Sequence, residues 1–131
     1  MDLLGDQAVL HSNALAGKTA LICGASRGIG AATAQVMAKA GANVVVASRN
    51  EEQLKTLLEQ LKTLGDGQHR MLILDLEETE SIAASVEPLL VEGPIHILVN
   101  NAGGPPGGPL LKATVDELSQ PFARHLHAAH T

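Results

Sequence analysis

Residues 19–30 read Thr-Ala-Leu-Ile-Cys-Gly-Ala-Ser-Arg-Gly-Ile-Gly, and this stretch decides the fold. Its apolar first part, Thr19 to Cys23, predicts a buried strand. The glycines follow in a Gly-x-x-x-Gly-x-Gly pattern, and Ile29 to Ala40 favours a helix because Ala, Gln, Met and Lys are frequent there. Glycines between a strand and a helix let the backbone turn tightly and approach a phosphate group, which the free N–H groups of the helix hold. The stretch therefore predicts a diphosphate-binding loop, with a glycine-rich turn that binds nothing as the alternative.

Strand-like and helix-like segments alternate along the rest of the chain. Apolar, strand-like segments cover residues 43–48, 70–75 and 94–100. Segments with helical spacing cover residues 51–64 and 78–91, and Pro88 is expected to bend or end the second of them. Four glycines and three prolines in residues 103–109 exclude regular structure there, and a further helix is expected to start near Thr114.

The strand-like segments are apolar throughout rather than alternating between apolar and polar residues. Continuous apolar strands are typical of parallel sheets with helices on both faces, whereas an antiparallel α+β fold would need alternation. The sequence therefore predicts an α/β fold, a Rossmann-like doubly wound parallel sheet, truncated after the fourth strand and part of the following helix. Residues 1–15 are expected to form an N-terminal tail that packs loosely, and residues 16–131 an incomplete nucleotide-binding Rossmann domain.

Composition limits the classes to which the chain can belong. Its 131 residues suit one domain, and its net charge of −5 without a basic stripe argues against a nucleic-acid partner. No apolar run reaches the ~20 residues needed to cross a membrane, and the first residues lack the basic and apolar segments of a signal peptide. The single cysteine excludes an internal disulfide. We therefore expect a cytoplasmic protein with neither a membrane nor a nucleic-acid partner.

The end of the second strand-like segment carries Ser48 and Arg49. A dinucleotide-binding unit for NAD(H) usually has an Asp or Glu at this place, which holds the ribose 2′-hydroxyl. A guanidinium instead attracts the 2′-phosphate of NADP(H), and Arg27 in the glycine loop could reach the same phosphate. The sequence therefore favours NADP(H) over NAD(H) as the cofactor. The alternative is that Arg49 is a solvated residue at the start of a helix.

Three motifs together resemble the short-chain dehydrogenase/reductase family: the glycine loop, Asp75-Leu76 after the third strand, and Asn100-Asn101-Ala102-Gly103 after the fourth. The resemblance covers about residues 15–131, the predicted NAD(P)-binding domain, and is nearest to the 3-oxoacyl-acyl-carrier-protein reductase-like group. It implies an NADP(H)-dependent oxidoreductase that transfers a hydride between the cofactor and a carbonyl or alcohol carbon of a small molecule. Members of the family are often dimers or tetramers, so a homo-oligomer stays open for the complete protein.

The resemblance implies a cofactor-binding role for each motif. The diphosphate and the adenosine ribose would be held by Gly24, Ser26, Arg27, Gly28, Ile29 and Gly30. The 2′-phosphate would be held by Ser48 and Arg49, and the adenine by Asp75 and Leu76. A strand-end cap is the alternative role of Asp75. The adenosine and ribose path would be lined by Asn101, Ala102 and Gly103, whereas Asn100 would stiffen the central strands.

The catalytic Ser, Tyr and Lys of the family follow its fifth strand. This chain is expected to end before that strand, and it contains no Tyr, so we expect no reductase activity from the 131 residues alone. His125 stands where the family has an Asn that supports a proton relay, with an ordinary helix residue as the alternative. A metal site at His125, His127 and His130 is disfavoured because no cysteine or paired carboxylate accompanies them. A non-catalytic NADP(H)-binding or regulatory module and a non-functional truncated product are the alternative functions.

Overall fold

The computed structural model describes residues 11–102, 114–116 and 119. Its strands and helices alternate in the order β1 (Thr19–Cys23), α1 (Gly28–Lys39), β2 (Asn43–Ser48), α2 (Glu51–Lys62), β3 (Arg70–Ile73), α3 (Thr79–Glu92) and β4 (Ile97–Val99). The described strands form one parallel sheet in the order β3-β2-β1-β4. This arrangement confirms the predicted Rossmann-like, doubly wound α/β fold.

The strand β1 lies between β2 and β4, and its Leu21 pairs with Val45 of β2 on one side and with Leu98 of β4 on the other. The chain passes from β1 to β2 and β3 on one side and then returns to place β4 on the opposite side. In open α/β sheets, such a reversal of strand order opens a crevice beyond the carboxyl ends of the strands, where ligands bind. The sheet order therefore gives the expected place of a functional site.

Two apolar layers cover the two faces of the sheet. On one face α1 and α2 pack against β1 and β2, and Leu54 and Leu61 of α2 are fully buried beside Ile22. On the other face Ile82 of α3 packs against Val45. Burial of a leucine side chain contributes about 1.5–3 kcal/mol. These contacts fix both helix layers to the strands whose ends form the crevice.

The observed bounds differ from the predicted ones mainly at the sheet edges, whereas α3 differs from the predicted residues 78–91 by one residue at each end. The strand β3 ends at Ile73 instead of residue 75, and β4 is shorter than residues 94–100. Both are edge strands of this sheet, and Ile73 and Leu98 are half exposed, so fewer neighbours order their ends. Pro88 was expected to bend or end the third helix, and the second of these effects is wrong, since α3 continues to Glu92. Pro88 is exposed, and water can therefore satisfy the carbonyl group that it leaves unpaired.

Most of the predicted fourth helix lies outside the described residues, of which 115, 116 and 119 are helical. At the other end, the folded part of the chain begins earlier than predicted. Leu15, which we assigned to the loose tail, packs on the core, and its N–H donates to the Ala40 oxygen at 2.8 Å. Asn43 N–H in turn donates to the Lys18 oxygen at 2.8 Å. The segment before β1 is therefore tied to the turn between α1 and β2, and residues 1–10 lie outside the described part.

Two histidines extend the strand ladders at the amino end of the sheet. Nδ1 of the buried His69 accepts a hydrogen bond from Val44 N–H of β2 at 3.2 Å. Nδ1 of His96 accepts one from Thr19 N–H of β1 at 3.0 Å. Burial lowers the pKa of His69. Only an unprotonated Nδ1 can accept a hydrogen bond, so the neutral imidazole is the form that supports this end of the sheet.

Candidate cofactor site

A cavity of about 460 Å³ opens at the carboxyl ends of the strands. Its walls come from the chain segments that follow the four described strands. The lining residues are Cys23, Gly24, Ser26, Arg27, Gly28, Ala47, Ser48, Arg49, Asn50, Gln53, Leu74, Asp75, Leu76, Asn101 and Ala102. Small-molecule sites commonly have volumes of about 300–1,000 Å³. The cavity thus lies where the reversal of strand order predicts a ligand, and it has a suitable size.

The loop after β1 is packed too closely to accept side chains at two of its glycines. Gly24 has a φ of +62°, and a Cβ on it would lie 2.5 Å from the backbone oxygen of Asn101. A Cβ on Gly30 would overlap the backbone oxygen of Gly24, because the first turn of α1 lies against the loop. The side-chain amide of Asn101 donates to this same Gly24 oxygen at 3.3 Å. The loop is therefore held between α1 and the segment after β4, with its backbone at the cavity.

The N-terminus of α1 presents backbone donors that no side chain satisfies among the described residues. Its N-cap residue, Arg27, has extended backbone with a φ of −161°, and the first turn contains no acidic residue. The helix α2 differs, because Oδ1 of Asn50 caps it by accepting from Gln53 N–H at 3.0 Å. Free N–H groups and the positive end of a helix dipole together favour an anion. Since Arg27 and Gly28 line the cavity, the residues present fit a diphosphate group.

Two arginines, Arg27 and Arg49, bring positive charge to the cavity walls. Arg49 follows β2 directly, its side chain is 62% exposed, and its Nη1 lies 3.8 Å from Oε2 of Glu77. Beside it, Oγ of Ser48 accepts a hydrogen bond from Asn50 N–H at 3.1 Å, which turns the chain from β2 into α2. A guanidinium in this position can bind a phosphate group through paired N–H donors.

Asp75 forms a turn with the residue two places after it. Its Oδ1 accepts from Glu77 N–H at 2.9 Å, which is the pattern of an Asx turn. For one of the two carboxylate oxygens of Asp75, this bond favours the alternative role, which is a cap at the strand end. Leu74 N–H donates to the Ser48 oxygen at 2.9 Å. The segments after β2 and β3 consequently lie side by side at the cavity.

Comparison with known protein families shows to which family the chain belongs. The sequence model of the short chain dehydrogenase family matches residues 18–130. The chain belongs to the short-chain dehydrogenase family. The match contains the glycine loop and every residue that lines the cavity.

Curated relatives of this short-chain dehydrogenase chain include enzymes from fungi and bacteria. A short chain dehydrogenase of Pseudocercospora fijiensis is 41% identical over 103 residues, which are 78% of this chain and 33% of the relative. A ketoacyl reductase of Nostoc is 35% identical over 116 residues, which are 88% of this chain and 40% of the relative. The chain therefore spans well under half the length of these relatives.

Solved structures of the short-chain dehydrogenase family superpose closely on the chain. L-sorbose reductase from Gluconobacter frateurii, complexed with NADPH and L-sorbose, gives a TM-score of 0.83 at 30% identity, covering 91% of this chain and 46% of that one. A 3-oxoacyl-acyl-carrier-protein reductase from Agrobacterium tumefaciens with NADP bound gives 0.81 at 32% identity, covering 88% and 45%. The shared fold is the one described above.

Most residues that the short-chain dehydrogenase resemblance assigns to the cofactor come together at the cavity. Those that line it are Gly24, Ser26, Arg27, Gly28, Ser48, Arg49, Asp75, Leu76, Asn101 and Ala102. Ile29 and Gly30 do not line it, because the Ile29 side chain is 78% exposed and Gly30 is buried against the loop. Gly103 and His125 lie outside the described residues. Asn101 makes the bond to the loop after β1 and Asn100 is exposed, so the stiffening role of Asn100 stays a prediction.

Five residues that line the cavity were not predicted: Cys23, Ala47, Asn50, Gln53 and Leu74. Four of them adjoin predicted residues, so their position at the end of a strand would have been enough to predict that they line the cavity. Gln53 could be found only from the helix geometry, since it lies one turn after the Asn50 cap. Burial raises the pKa of the Cys23 thiol, which therefore acts as a neutral part of the wall.

Two other features are absent from residues 11–102, 114–116 and 119. Within these ranges, no helix combines the length and apolarity required to cross a membrane. No cluster of three or more His, Cys, Asp or Glu side chains in the same ranges is placed to hold a metal ion. His125, His127 and His130 lie outside the described residues.

Proposed function

We propose that this chain is the NADP(H)-binding part of an oxidoreductase that transfers a hydride between the cofactor and a carbonyl or alcohol carbon of a small molecule. The observation that carries the proposal is the cavity whose walls combine the uncapped N-terminus of α1 with two arginines. Membership of the short-chain dehydrogenase family supports hydride transfer as the chemistry. The L-sorbose bound by one structural neighbour supports a small-molecule substrate.

In this proposal each wall of the cavity binds a different part of the cofactor. The N–H groups of the first turn of α1 bind the diphosphate, and the tight packing at Gly24 brings the loop backbone close to it. Asp75 accepts from the adenine amino group with the acceptor positions that its turn leaves available. Asn101 holds the loop against the segment after β4. The bound nicotinamide supplies or accepts the hydride.

The preference for NADP(H) over NAD(H) rests on Arg49. Its exposed guanidinium lies at the end of β2, where a carboxylate would hold the 2′-hydroxyl of NAD(H). A charge-assisted hydrogen bond contributes about 1.5–3 kcal/mol, which corresponds to a preference of about ten- to a hundredfold. The NADP and NADPH bound by two structural neighbours also support this choice.

The groups that transfer protons are proposed to belong to a longer protein. The chain contains no Tyr and spans 46% of the L-sorbose reductase chain. We therefore expect the 131 residues to bind NADP(H) without reducing a carbonyl compound. Oxidation of NADPH by a small ketone in the presence of this chain alone would contradict that expectation.

Titration of the chain with NADPH and with NADH tests the cofactor. We expect NADPH to bind about ten- to a hundredfold more tightly than NADH, as followed by cofactor fluorescence or by calorimetry at low salt. Arg49→Asp should reverse the preference, because a carboxylate repels the 2′-phosphate and accepts from a 2′-hydroxyl. Lys62→Asp makes the same change of charge on an exposed side chain that pairs with Glu59, and it should leave the preference unaltered.

Equal affinities for the two cofactors would remove the assignment to NADP(H) and keep the dinucleotide site. Binding of neither cofactor by a folded chain, as judged by circular dichroism, would contradict the proposed site itself.

A further inference from the structure

Arg49 does not stand alone at the end of β2, because a carboxylate from the neighbouring segment pairs with it. Nη1 of Arg49 lies 3.8 Å from Oε2 of Glu77. Arg49 follows β2 directly, and Glu77 follows β3, which is the neighbouring strand in the sheet. The pair therefore bridges the two strand ends at which the 2′-phosphate of NADP(H) is proposed to bind.

Glu77 starts from a turn and is less exposed than Arg49. Its backbone N–H donates to Oδ1 of Asp75 at 2.9 Å, and this turn fixes where the Glu77 side chain starts. The side chain of Glu77 is 26% exposed, whereas that of Arg49 is 62% exposed. The carboxylate thus lies on an ordered turn, beside the exposed end of the guanidinium.

Other carboxylates near Arg49 are differently placed. Glu51 and Glu52 share a shallow groove with Arg49 at the start of α2. Glu51 pairs with Lys55 at 3.3 Å, so its charge is already compensated within the helix. Among the described residues, Glu77 is the carboxylate that forms an ion pair with Arg49.

The two cofactors respond differently to this arrangement. A 2′-phosphate would need the N–H donors of Arg49 and would lie near the Glu77 carboxylate, which repels it. A 2′-hydroxyl carries no charge and can donate a hydrogen bond to a carboxylate. The negative charge of Glu77 therefore acts against NADP(H) and leaves NAD(H) unaffected or favoured.

We propose that Glu77 is a specificity-determining residue, which competes with the 2′-phosphate for Arg49 and so limits the preference for NADP(H). This inference rests on the proposed function and adds a residue outside the cavity lining to the cofactor-selecting set. Exposed ion pairs are weak, so the expected gain from removing this charge is about two- to fivefold in NADPH affinity.

Glu77→Gln tests the inference, because it removes the charge and keeps the size of the side chain. The full chain and its variants are titrated with NADPH and with NADH at low salt. Glu77→Gln should lower the Kd for NADPH about two- to fivefold without lowering the Kd for NADH. The control is Glu78→Gln, which removes the same charge from the next, exposed residue and should change either Kd by less than about twofold.

A second pair of variants separates competition for Arg49 from simple repulsion. In an Arg49→Met chain, Glu77→Gln should gain less than about twofold for NADPH, because there is no guanidinium left to release. A gain as large as that in the wild-type chain would overturn the proposed competition. Unchanged or weaker NADPH binding by Glu77→Gln would also overturn it, since Glu77 would then orient Arg49 or have no influence.

The outcomes for the wild-type chain keep the two proposals apart. Wild-type binding of NADPH together with an unresponsive Glu77→Gln chain overturns the role of Glu77 alone. Absence of NADPH binding by the wild-type chain overturns the proposed function and this inference with it. Glu77→Ala is the second variant and should show the same gain. Loss of the circular dichroism signal of the fold in both variants would overturn the inference, because Glu77 would then be structural.

Discussion

Replacing Gly30 by alanine perturbs the contact that shapes the glycine loop. The added methyl group would overlap the backbone oxygen of Gly24, and backbone atoms cannot rotate away as a flexible side chain can. Overpacking of this kind costs about 1–3 kcal/mol. For a chain of 131 residues, about 1 kcal/mol corresponds to ~4 °C in Tm, so we expect Gly30→Ala to lower Tm by about 4–12 °C.

Cofactor binding should fall together with stability. The loop must move outward from α1, and its backbone then no longer fits the diphosphate. Loss of a single hydrogen bond to a charged group costs about 1.5–3 kcal/mol, so the Kd for NADPH should rise at least about tenfold. The two assays are thermal unfolding followed by circular dichroism, and NADPH titration at a temperature where the variant is folded.

Gly93→Ala is the matched control for this substitution. Gly93 has extended backbone with a φ of 162°, and a Cβ placed on it meets no other part of the described chain within 4 Å. This variant should therefore keep the wild-type Tm and NADPH affinity, with a change in stability below about 0.5 kcal/mol. The reasoning about the loop is refuted when Gly30→Ala behaves as Gly93→Ala does in both assays.

Asn50→Ala removes the side-chain cap of α2 and should lower the free energy of unfolding in urea by about 1 kcal/mol, whereas Asn50→Ser keeps the cap and most of the stability. Asn101→Ala removes the bond to Gly24 and should cost about 0.5–1.5 kcal/mol, whereas Asn100→Ala should change the stability by less than about 0.5 kcal/mol. The pKa of His69 is lowered from its ordinary value of 6.5 in the folded chain, so the unfolded chain takes up the proton first as the pH falls. The contribution of His69 to stability is therefore complete above that value and is lost as the pH falls below it. His69→Asn should show a smaller decline in the free energy of unfolding between about pH 7 and about pH 5. A decline equal to that of the wild-type chain would contradict this role of His69.

The sequence predicts the centre of the fold well because local and long-range signals agree there. The bounds of β1 and β2 match the prediction, since both strands are buried on both faces and their apolar runs have clear ends. The glycine loop is recognisable because backbone geometry at Gly24 and packing at Gly30 both require glycine. Where only one residue type satisfies the backbone geometry and packing of a position, the structural role of that residue can be deduced from the sequence.

The prediction fails where the outcome depends on a partner distant in the sequence. Pro88 is tolerated inside α3 because one face of the helix packs on the sheet and the other face is open to water, which can satisfy the unpaired carbonyl group. Asn100 and Asn101 are chemically identical, and only the register of β4 against β1 decides which amide reaches Gly24. The pairing of Arg49 with Glu77 likewise depends on the turn that Asp75 makes after β3.

The reversed strand order also determines when the cavity can form during synthesis. The bond between Asn101 and Gly24 joins residues 77 positions apart, so the glycine loop leaves the ribosome long before the segment that holds it. Contacts of such long range close a large loop, and their entropic cost delays them until neighbouring elements are in place. The nascent chain therefore carries an open, incomplete phosphate loop until β4 has docked. A ligand that binds only the closed cavity stabilises this last step by mass action, so cofactor concentration in the cell would influence how much of the chain completes its fold.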